Sequence, residues 1–263
     1  MEVERARMVV RNDVCATDNV SAVGELERAR MVTRSSARAT DNINVVAREL
    51  KRPLLELRQL ALGFDGNGME DETIRTEMVN VAERAMRQVD DLNKIPNLQR
   101  NKYQLGPVAV RAICDDVLIE VSRLFSGKTC KMRVKYSNRQ RLAVANPELL
   151  KSVVYNFVLD ATHYATIDMQ AELKVKEINK KIAIEVRDFG PALPMDVWRE
   201  MQECISEMPS DIAMRPGSSV VGLYIAAKFS KYMHAEVGAV RHRDGTSFFV
   251  KLPASKQMSI WED

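Results

Sequence analysis

Apolar residues recur every three or four positions along two stretches of the N-terminal half of the chain, as they do on one face of an α-helix. The two stripes are Ile43, Val46, Leu50, Leu54, Leu57 and Ala61, then Ile74, Met78, Val81, Ala85, Val89 and Leu92. The glycine-rich residues 63–68 between them have the composition of a turn. The pattern predicts an antiparallel helical hairpin over residues 37–98. Because two helices alone cannot enclose a core, we expect a homodimer in which two hairpins form a four-helix bundle.

A different pattern follows Pro96 and the polar residues 97–102, which we expect to end the hairpin. Residues 103–254 mix helical and alternating stretches and predict a second domain, with a short tail at 255–263. The predicted helices lie at about 108–125, from Asn146-Pro147 onward, and at about 221–233, and the predicted strands lie near 131–136, 141–145, 171–177, 181–187, 236–242 and 246–252. No Gly-x-Gly-x-x-Gly follows the first strand, which argues against a dinucleotide-binding fold. We therefore expect an α+β protein in which the hairpin precedes an α/β sandwich.

The beginning of the chain contains a tandem duplication. Residues 4–23 and 27–46 share the segment Glu-Arg-Ala-Arg-Met-Val and the segment Ala-Thr-Asp-Asn at an offset of 23 residues. This offset is not a whole number of heptads, so both copies cannot extend one coiled-coil seam in register. We expect residues 1–36 to form a separate, weakly anchored helical segment.

Composition narrows the classes of protein to which the chain can belong. Its 263 residues include 39 basic and 36 acidic side chains, with no dense basic block of the kind that binds nucleic acid. No stretch approaches the roughly 18 apolar residues of a membrane span, and the charged N-terminus is unlike a signal peptide, so a cytoplasmic protein is expected. The four cysteines are too far apart for a zinc knuckle or a disulfide framework.

Four short motifs follow one another along the chain. They are residues 47–54 (Ala-Arg-Glu-Leu-Lys-Arg-Pro-Leu), 156–164 (Asn-Phe-Val-Leu-Asp-Ala-Thr-His-Tyr), 186–194 (Val-Arg-Asp-Phe-Gly-Pro-Ala-Leu-Pro) and 217–225 (Gly-Ser-Ser-Val-Val-Gly-Leu-Tyr-Ile). In this order and spacing they resemble the transmitter core of two-component histidine kinases over about residues 37–253. The resemblance implies that the hairpin is the dimerisation and phosphotransfer element, and that the second domain is an ATP-binding sandwich of the histidine kinase and HSP90-like type.

The first motif departs from the family at the phosphoacceptor. The family's box reads His-Glu-Leu-Arg/Lys-x-Pro-Leu, and Arg48 occupies the histidine position. A guanidinium stays protonated and does not attack a γ-phosphate, whereas a neutral imidazole nitrogen does. We therefore expect no autophosphorylation at this position and assign no catalytic residue.

The second motif resembles the family's asparagine box. Asn156 and Asp160 are four residues apart, which places them on one helix face, and the resemblance implies that both bind a phosphate-bound Mg²⁺. Asp160 replaces the family's second asparagine, and a carboxylate oxygen is a suitable ligand for a hard cation. The resemblance also places His163 and Tyr164 at the nucleotide. A solvated or capping role for these polar residues is the alternative for this motif alone.

The third motif resembles the first glycine box, Asp-x-Gly-x-Gly-Ile-Pro. The resemblance implies that Asp188 accepts a hydrogen bond from the adenine amino group and that Gly190 keeps a tight turn. Ala192 stands where the family has a second glycine, and its methyl group could crowd a backbone that must approach the base or adopt a positive φ. A plain strand-end turn is the alternative for these residues.

The fourth motif resembles the second glycine box, Gly-Thr-Gly-Leu-Gly-Leu, which opens a helix whose amides hold the phosphates. Gly222 and Leu223 align with it, and Gly217 lies just outside. Ser218 and Val220 stand at two glycine positions, so only part of the cradle is retained. Residues 195–216 take the place of the family's ATP lid, and residues 235–253 resemble its closing hairpin, with Asp244-Gly245 as the turn.

Three functions remain open at this point. The first is a dimeric pseudokinase or scaffold that binds Mg-ATP through a weakened site and engages a response regulator or a partner kinase. The second is an active kinase that phosphorylates a histidine of another polypeptide in trans. The third is a structural dimerisation module without a ligand.

Overall fold

The computed structural model describes residues 46–47, 49–63, 69–100, 102–124, 132–137, 141–164, 171–192, 194–196, 198–199 and 219–256. All of them belong to one compact unit of the chain, residues 45–263. The predictions for the duplicated segment, the lid and the tail fall largely outside the described residues, and those for Arg48 and Gly217 do so entirely. No helix within the described part of the chain has the length and apolarity that crossing a membrane requires.

Two helices form the predicted hairpin. Helix α1 covers the described residues 46–47 and 49–62 and ends at Gly63, whose amide donates to the carbonyl oxygens of Gln59 and Leu60. Helix α2 spans Met69–Leu98. Helix α2 ends within the residues expected to end the hairpin, and Pro96 lies inside its last turn. A proline so close to the end removes one helical hydrogen bond, and the next residue, Asn97, donates its side-chain amide to the carbonyl oxygen of Asn93 at 3.2 Å.

A five-stranded sheet forms one layer of the second domain, in the order β2-β4-β5-β7-β6. The strands are β2 (Met132–Tyr136), β4 (Ala171–Ile178), β5 (Lys181–Arg187), β6 (Glu236–His242) and β7 (Gly245–Pro253). Strands β2 and β4 are parallel, and the other neighbours are antiparallel. A separate antiparallel pair consists of β1 (Gly106–Val108) and β3 (Ala143–Ala145). The predicted mixed sandwich is confirmed.

Three helices form the other layer: α3 (Val110–Leu124), α4 (Pro147–His163) and α5 (Val220–Tyr232). Asn146 caps α4 as predicted, because its side-chain oxygen accepts from the amides of Glu148 and Leu149, both at 3.1 Å. This cap and the apolar side chains that follow it explain why α4 begins here and packs on the sheet.

The core lies between these helices and the sheet. Phe157 of α4 stacks on Phe248 of β7 with ring centroids 5.6 Å apart, and both rings are buried. Fully burying a side chain of this kind contributes about 1.5–3 kcal/mol to the free energy of folding. The stacked rings thus pack α4 against the sheet.

Cys114 of α3 is also fully buried and is a free thiol whose pKa is raised to about 12 by burial.

Candidate functional site

Asp188 lies directly after β5 and is only 1% exposed. Its Oδ1 atom accepts a hydrogen bond from the amide of Gly190 at 2.9 Å, which closes the tight turn that the motif predicted. Its own amide donates to the carbonyl oxygen of Thr246 in β7 at 2.9 Å. Asp188 is thus held at two points, its carboxylate by the amide of Gly190 and its backbone by β7.

Gly190 and Tyr164 bring the first glycine box against the end of the asparagine box. A Cβ atom built on Gly190 would lie 2.8 Å from the ring of Tyr164, closer than side-chain carbons approach one another. Tyr164 is the C-cap residue of α4, and its ring packs edge to face with His163 at 5.4 Å. Glycine is required here because the tyrosine ring occupies the space of a side chain.

Asn156 and Gly222 form a second close contact, between α4 and the first turn of α5. A Cβ atom on Gly222 would lie 2.6 Å from Oδ1 of Asn156. The Nδ2 atom of Asn156 donates to the carbonyl oxygen of Ser152 at 2.9 Å, so the oxygen faces α5. Asp160 lies one turn further along the same helix face and is 6% exposed. Leu223, in contrast, is buried in the core and anchors α5.

Ser219 is a residue of this region that the motif comparison missed. It caps α5, because its hydroxyl oxygen accepts from the amide of Gly222 at 3.0 Å. The same oxygen accepts from Nε2 of Gln88 at 3.0 Å and donates its proton to Oε2 of Glu49 at 3.1 Å. Both partners belong to the hairpin, so the helix start that was expected to hold phosphates is bonded to α1 and α2.

Thr246 is the second missed residue. Its side chain is completely buried next to the backbone of Asp188, and its hydroxyl has no hydrogen-bond partner among the described residues. A buried hydroxyl without a partner costs free energy unless a ligand or water binds it. The Gly-Thr pair after Asp244 was the sequence signal that could have identified it.

The backbone at the two departures from the glycine boxes is ordinary. Among the described non-glycine residues, positive φ occurs at Asn179, Lys180 and His234. Ala192 therefore does not adopt the positive φ considered above, and Val220 is the first residue of a regular helix. Neither replacement strains the chain.

A cavity of about 830 Å³ lies between the hairpin and the ends of α4 and α5. Its charged and polar lining includes Glu49, Lys51, Arg52, Glu56, Arg84, Gln88, His163 and Ser219. Glu56 and Arg84 of the two hairpin helices approach one another at 3.7 Å across it. The cavity thus lies between the first motif, on α1, and the N-terminus of α5.

A buried polar cluster fastens α2 to α4. Asp91 is 2% exposed and accepts hydrogen bonds from the hydroxyl of Ser152 and from Nζ of Lys94, the latter at 2.9 Å. Lys94 also pairs with Glu148 at 2.9 Å. Burial alone would lower the pKa of Lys94, but its hydrogen bonds to Glu148 and Asp91 outweigh burial and raise it. The lysine therefore remains charged and bridges the two helices.

Aromatic and ionic contacts reinforce this attachment. The guanidinium of Arg87 in α2 lies 3.7 Å from the ring centroid of Tyr155 in α4. Arg87 also pairs with Glu120 of α3, which in turn pairs with Lys151 of α4 at 3.1 Å. The hairpin is thus held against two helices of the second domain.

Comparison with known proteins identifies a family and individual proteins that this chain resembles. Residues 145–256 match the family described as histidine kinase-, DNA gyrase B-, and HSP90-like ATPase. The chain is 21% identical over 227 residues to hybrid signal transduction histidine kinase K of Dictyostelium discoideum, covering 79% of this chain and 19% of that protein. The chain spans about a fifth of the length of the curated relatives it matches.

Solved structures share the fold. Full-length ShkA in complex with AMPPNP is 16% identical with a TM-score of 0.56, over 85% of this chain and 47% of that one. Histidine kinase ThkA in complex with the response regulator protein TrrA is 14% identical with a TM-score of 0.54, over 88% of this chain and 65% of that one. Residues 145–256 therefore match the family of histidine kinase-, DNA gyrase B- and HSP90-like ATPases, and the chain is similar to the transmitter core of histidine kinases.

Proposed function

We propose that this protein binds Mg-ATP as a conformational ligand and acts as a dimeric pseudokinase, a scaffold that cannot phosphorylate itself at the usual position. The observation that carries the proposal is the buried carboxylate of Asp188, bonded to the amide of Gly190 and joined through its backbone to Thr246. Beside it, the completely buried hydroxyl of Thr246 has no hydrogen-bond partner among the described residues, which is costly without a polar ligand or water.

An adenine base suits this end of the site. Its exocyclic amine donates hydrogen bonds that a buried carboxylate such as Asp188 accepts, and its ring nitrogens accept from a hydroxyl such as that of Thr246. The Tyr164 ring over Gly190 adds an aromatic wall. The neighbour ShkA was solved with the ATP analogue AMPPNP, which supports a nucleotide as the ligand.

Asn156 and Asp160 fit a magnesium ion held together with phosphates. Both offer oxygen atoms on one face of α4, and Mg²⁺ is usually bound by one or two protein oxygens plus phosphate and water. No group of three or more acidic, histidine or cysteine side chains suited to a metal occurs in the described part of the chain. When bound, the ion would neutralise phosphate charge, and the two side chains would orient it.

Arg48 decides whether the hairpin could accept the γ-phosphoryl group of bound ATP. Its side chain is protonated and offers no nucleophilic nitrogen, so the hairpin of this chain would not take the γ-phosphoryl group. Exposed apolar side chains on both hairpin helices, Leu55 and Leu62 of α1 with Val79 and Met86 of α2, support a homodimer. The relative ThkA was solved with a response regulator, which supports a partner of that class for the hairpin.

Calorimetric titration tests the proposal. Mg-ATP and Mg-ADP should bind the wild type with micromolar affinity, and Asp188→Asn should lose that binding because its amide presents a donor toward the adenine amine. Asp196→Asn is the matched control, since Asp196 is an exposed acid in the segment that follows. No binding at millimolar nucleotide would reject the proposal and leave the structural module.

A kinase acting in trans is the second candidate, favoured by the retained contact between Asn156 and Gly222 at the start of α5. The γ-phosphoryl group of ATP would pass to an imidazole nitrogen of another polypeptide, leaving ADP. Incubation with labelled ATP should then label that polypeptide and not this chain. Loss of transfer in Asp188→Asn would support this candidate, whereas acid-labile label on this chain would contradict both candidates.

A further inference from the structure

We infer that Glu49 closes the phosphate end of the nucleotide site when the hairpin is docked, so that hairpin docking and ATP binding compete. The inference rests on the proposed function and concerns regulation of the same site. It starts from the hydrogen bond between Ser219 at the beginning of α5 and Glu49 of α1, residues separated by 170 positions in the chain.

The hydroxyl of Ser219 is fully engaged. A serine hydroxyl has one donor and two acceptor positions. The donor is used by Oε2 of Glu49 at 3.1 Å, and the acceptors are used by Nε2 of Gln88 and the amide of Gly222, both at 3.0 Å. A phosphate oxygen can therefore obtain this proton only by displacing the carboxylate of Glu49.

Charge adds to this competition. The N-terminus of α5 carries a partial positive charge that stabilises an anion, and the carboxylate of Glu49 already supplies one. A triphosphate placed at the same helix end would bring several negative charges close to Glu49, which is half-buried and therefore only partly screened by solvent. Adenosine carries no phosphate and meets neither obstacle.

The hairpin is held in this position by contacts remote from the nucleotide. Asp91 of α2 bonds to Ser152 of α4, and Arg87 stacks on Tyr155. These contacts keep α2, and with it Gln88, beside Ser219. Release of Glu49 would therefore require either local movement of α1 or undocking of the whole hairpin.

Measured affinities of three ligands distinguish this contact from a purely structural one. We would titrate Mg-ATP, Mg-ADP and adenosine into the wild type, Glu49→Gln and Glu56→Gln. Glutamine at position 49 can still accept the hydrogen bond from Ser219, so this variant removes mainly the charge. Glu56 is the matched control because it lines the same cavity on the same helix, and its ionic partner is Arg84.

Glu49→Gln should lower the Kd of Mg-ATP about tenfold and that of Mg-ADP by somewhat less, because the variant removes the negative charge that repels the phosphates. Its Kd for adenosine should stay within about twofold of the wild type, and Glu56→Gln should match the wild type for all three ligands. Ser152→Ala, which loosens the attachment of α2, should also tighten Mg-ATP binding.

Three outcomes would overturn either the competition or the proposed function. Equal Mg-ATP affinity in the wild type and Glu49→Gln would overturn the competition while leaving the nucleotide site intact. Tighter adenosine binding by the same factor would also overturn it, because the effect would not be located at the phosphates. Failure of all three ligands to bind any variant would overturn the proposed function itself.

Discussion

Gly245 and Asp188 lie so close together that no side chain fits between them. A Cβ atom on Gly245 would be 2.2 Å from the carbonyl oxygen of Asp188 and 2.9 Å from its Oδ1 atom, and the φ of Gly245 is +124°. The turn of the closing hairpin therefore packs directly against the backbone of Asp188, the residue proposed to bind adenine. Glycine is therefore required at this position both by conformation and by space.

Gly245→Ala should consequently impair both stability and nucleotide binding. The strained φ costs about 1–3 kcal/mol, and the overlap must in addition displace Asp188 from its bond to Gly190. We expect a lower midpoint of thermal unfolding and loss of Mg-ATP binding in calorimetry. Gly106→Ala is the control, because nothing lies within 4 Å of a Cβ atom there. Unchanged ATP affinity in Gly245→Ala would show that Asp188 tolerates this displacement or does not bind the base.

Elements with strong local signals were predictable from the sequence. The stripe from Ile74 to Leu92 has helical spacing, the Asn146-Pro147 pair is a helix start, and Asp244-Gly245 is a hairpin turn, and all three appear as expected. Each depends on neighbouring residues alone. Pro96 lies inside the last turn of α2, where a helix tolerates proline because only one hydrogen bond is lost.

The non-local parts of the site were not predictable in this way. The bonds from Ser219 to Glu49 and Gln88 join residues 170 and 131 positions apart, and no spacing rule connects them. Thr246 is a candidate because it is buried beside Asp188, and this burial is a tertiary property that the local sequence does not show. Motif resemblance proposed candidate residues in the second domain because their order along the chain is informative. It could not show that the hairpin packs on the start of α5.

Gly222→Ala tests the proposed magnesium ligand. Its Cβ atom would lie 2.6 Å from Oδ1 of Asn156 and would force that oxygen away from its present position. We expect binding of Mg-ATP to weaken and to lose its dependence on Mg²⁺, while adenosine binding is retained. Titrations with and without Mg²⁺ measure both effects. Loss of adenosine binding to the same extent would instead indicate that the variant deforms the whole domain.

We expect the exposed apolar face of the hairpin to form the dimer interface, so that charged substitutions on this face should dissociate the dimer. Leu55 and Leu62 are 46% and 76% exposed, and Val79 and Met86 are 51% and 59% exposed, each pair seven residues apart on its helix. Leu62→Glu and Met86→Glu should convert a dimer to a monomer in sedimentation velocity, because a buried charge in a bundle core is costly. Val240→Glu is the control, since Val240 is 44% exposed on the edge strand β6. A monomeric wild type would contradict the proposed dimer.

Glu172 makes the stability of the sheet dependent on pH. Its carboxylate is 6% exposed and pairs with Lys135 at 2.6 Å and with Lys174 at 2.5 Å. Burial alone would raise the pKa of Glu172, but the two lysines outweigh burial and lower it from the ordinary value of 4.5. Because the pKa is lower in the folded state, the stabilisation is complete above pH 4.5 and is lost as the pH falls through the folded-state pKa.

Urea unfolding of the wild type and Glu172→Gln between pH 7 and pH 3 measures this contribution. At pH 7 the variant should be less stable by about 1–2 kcal/mol, because two charge-assisted hydrogen bonds are weakened. The two free energies of unfolding should converge as the pH falls below 4.5, since protonation removes the same charge from the wild type. Glu185→Gln is the control, because its ion pair with Lys176 at 3.3 Å is more exposed and contributes little. A difference between the wild type and Glu172→Gln that stays constant down to pH 3 would mean that packing of the side chain, and not its charge, stabilises the sheet.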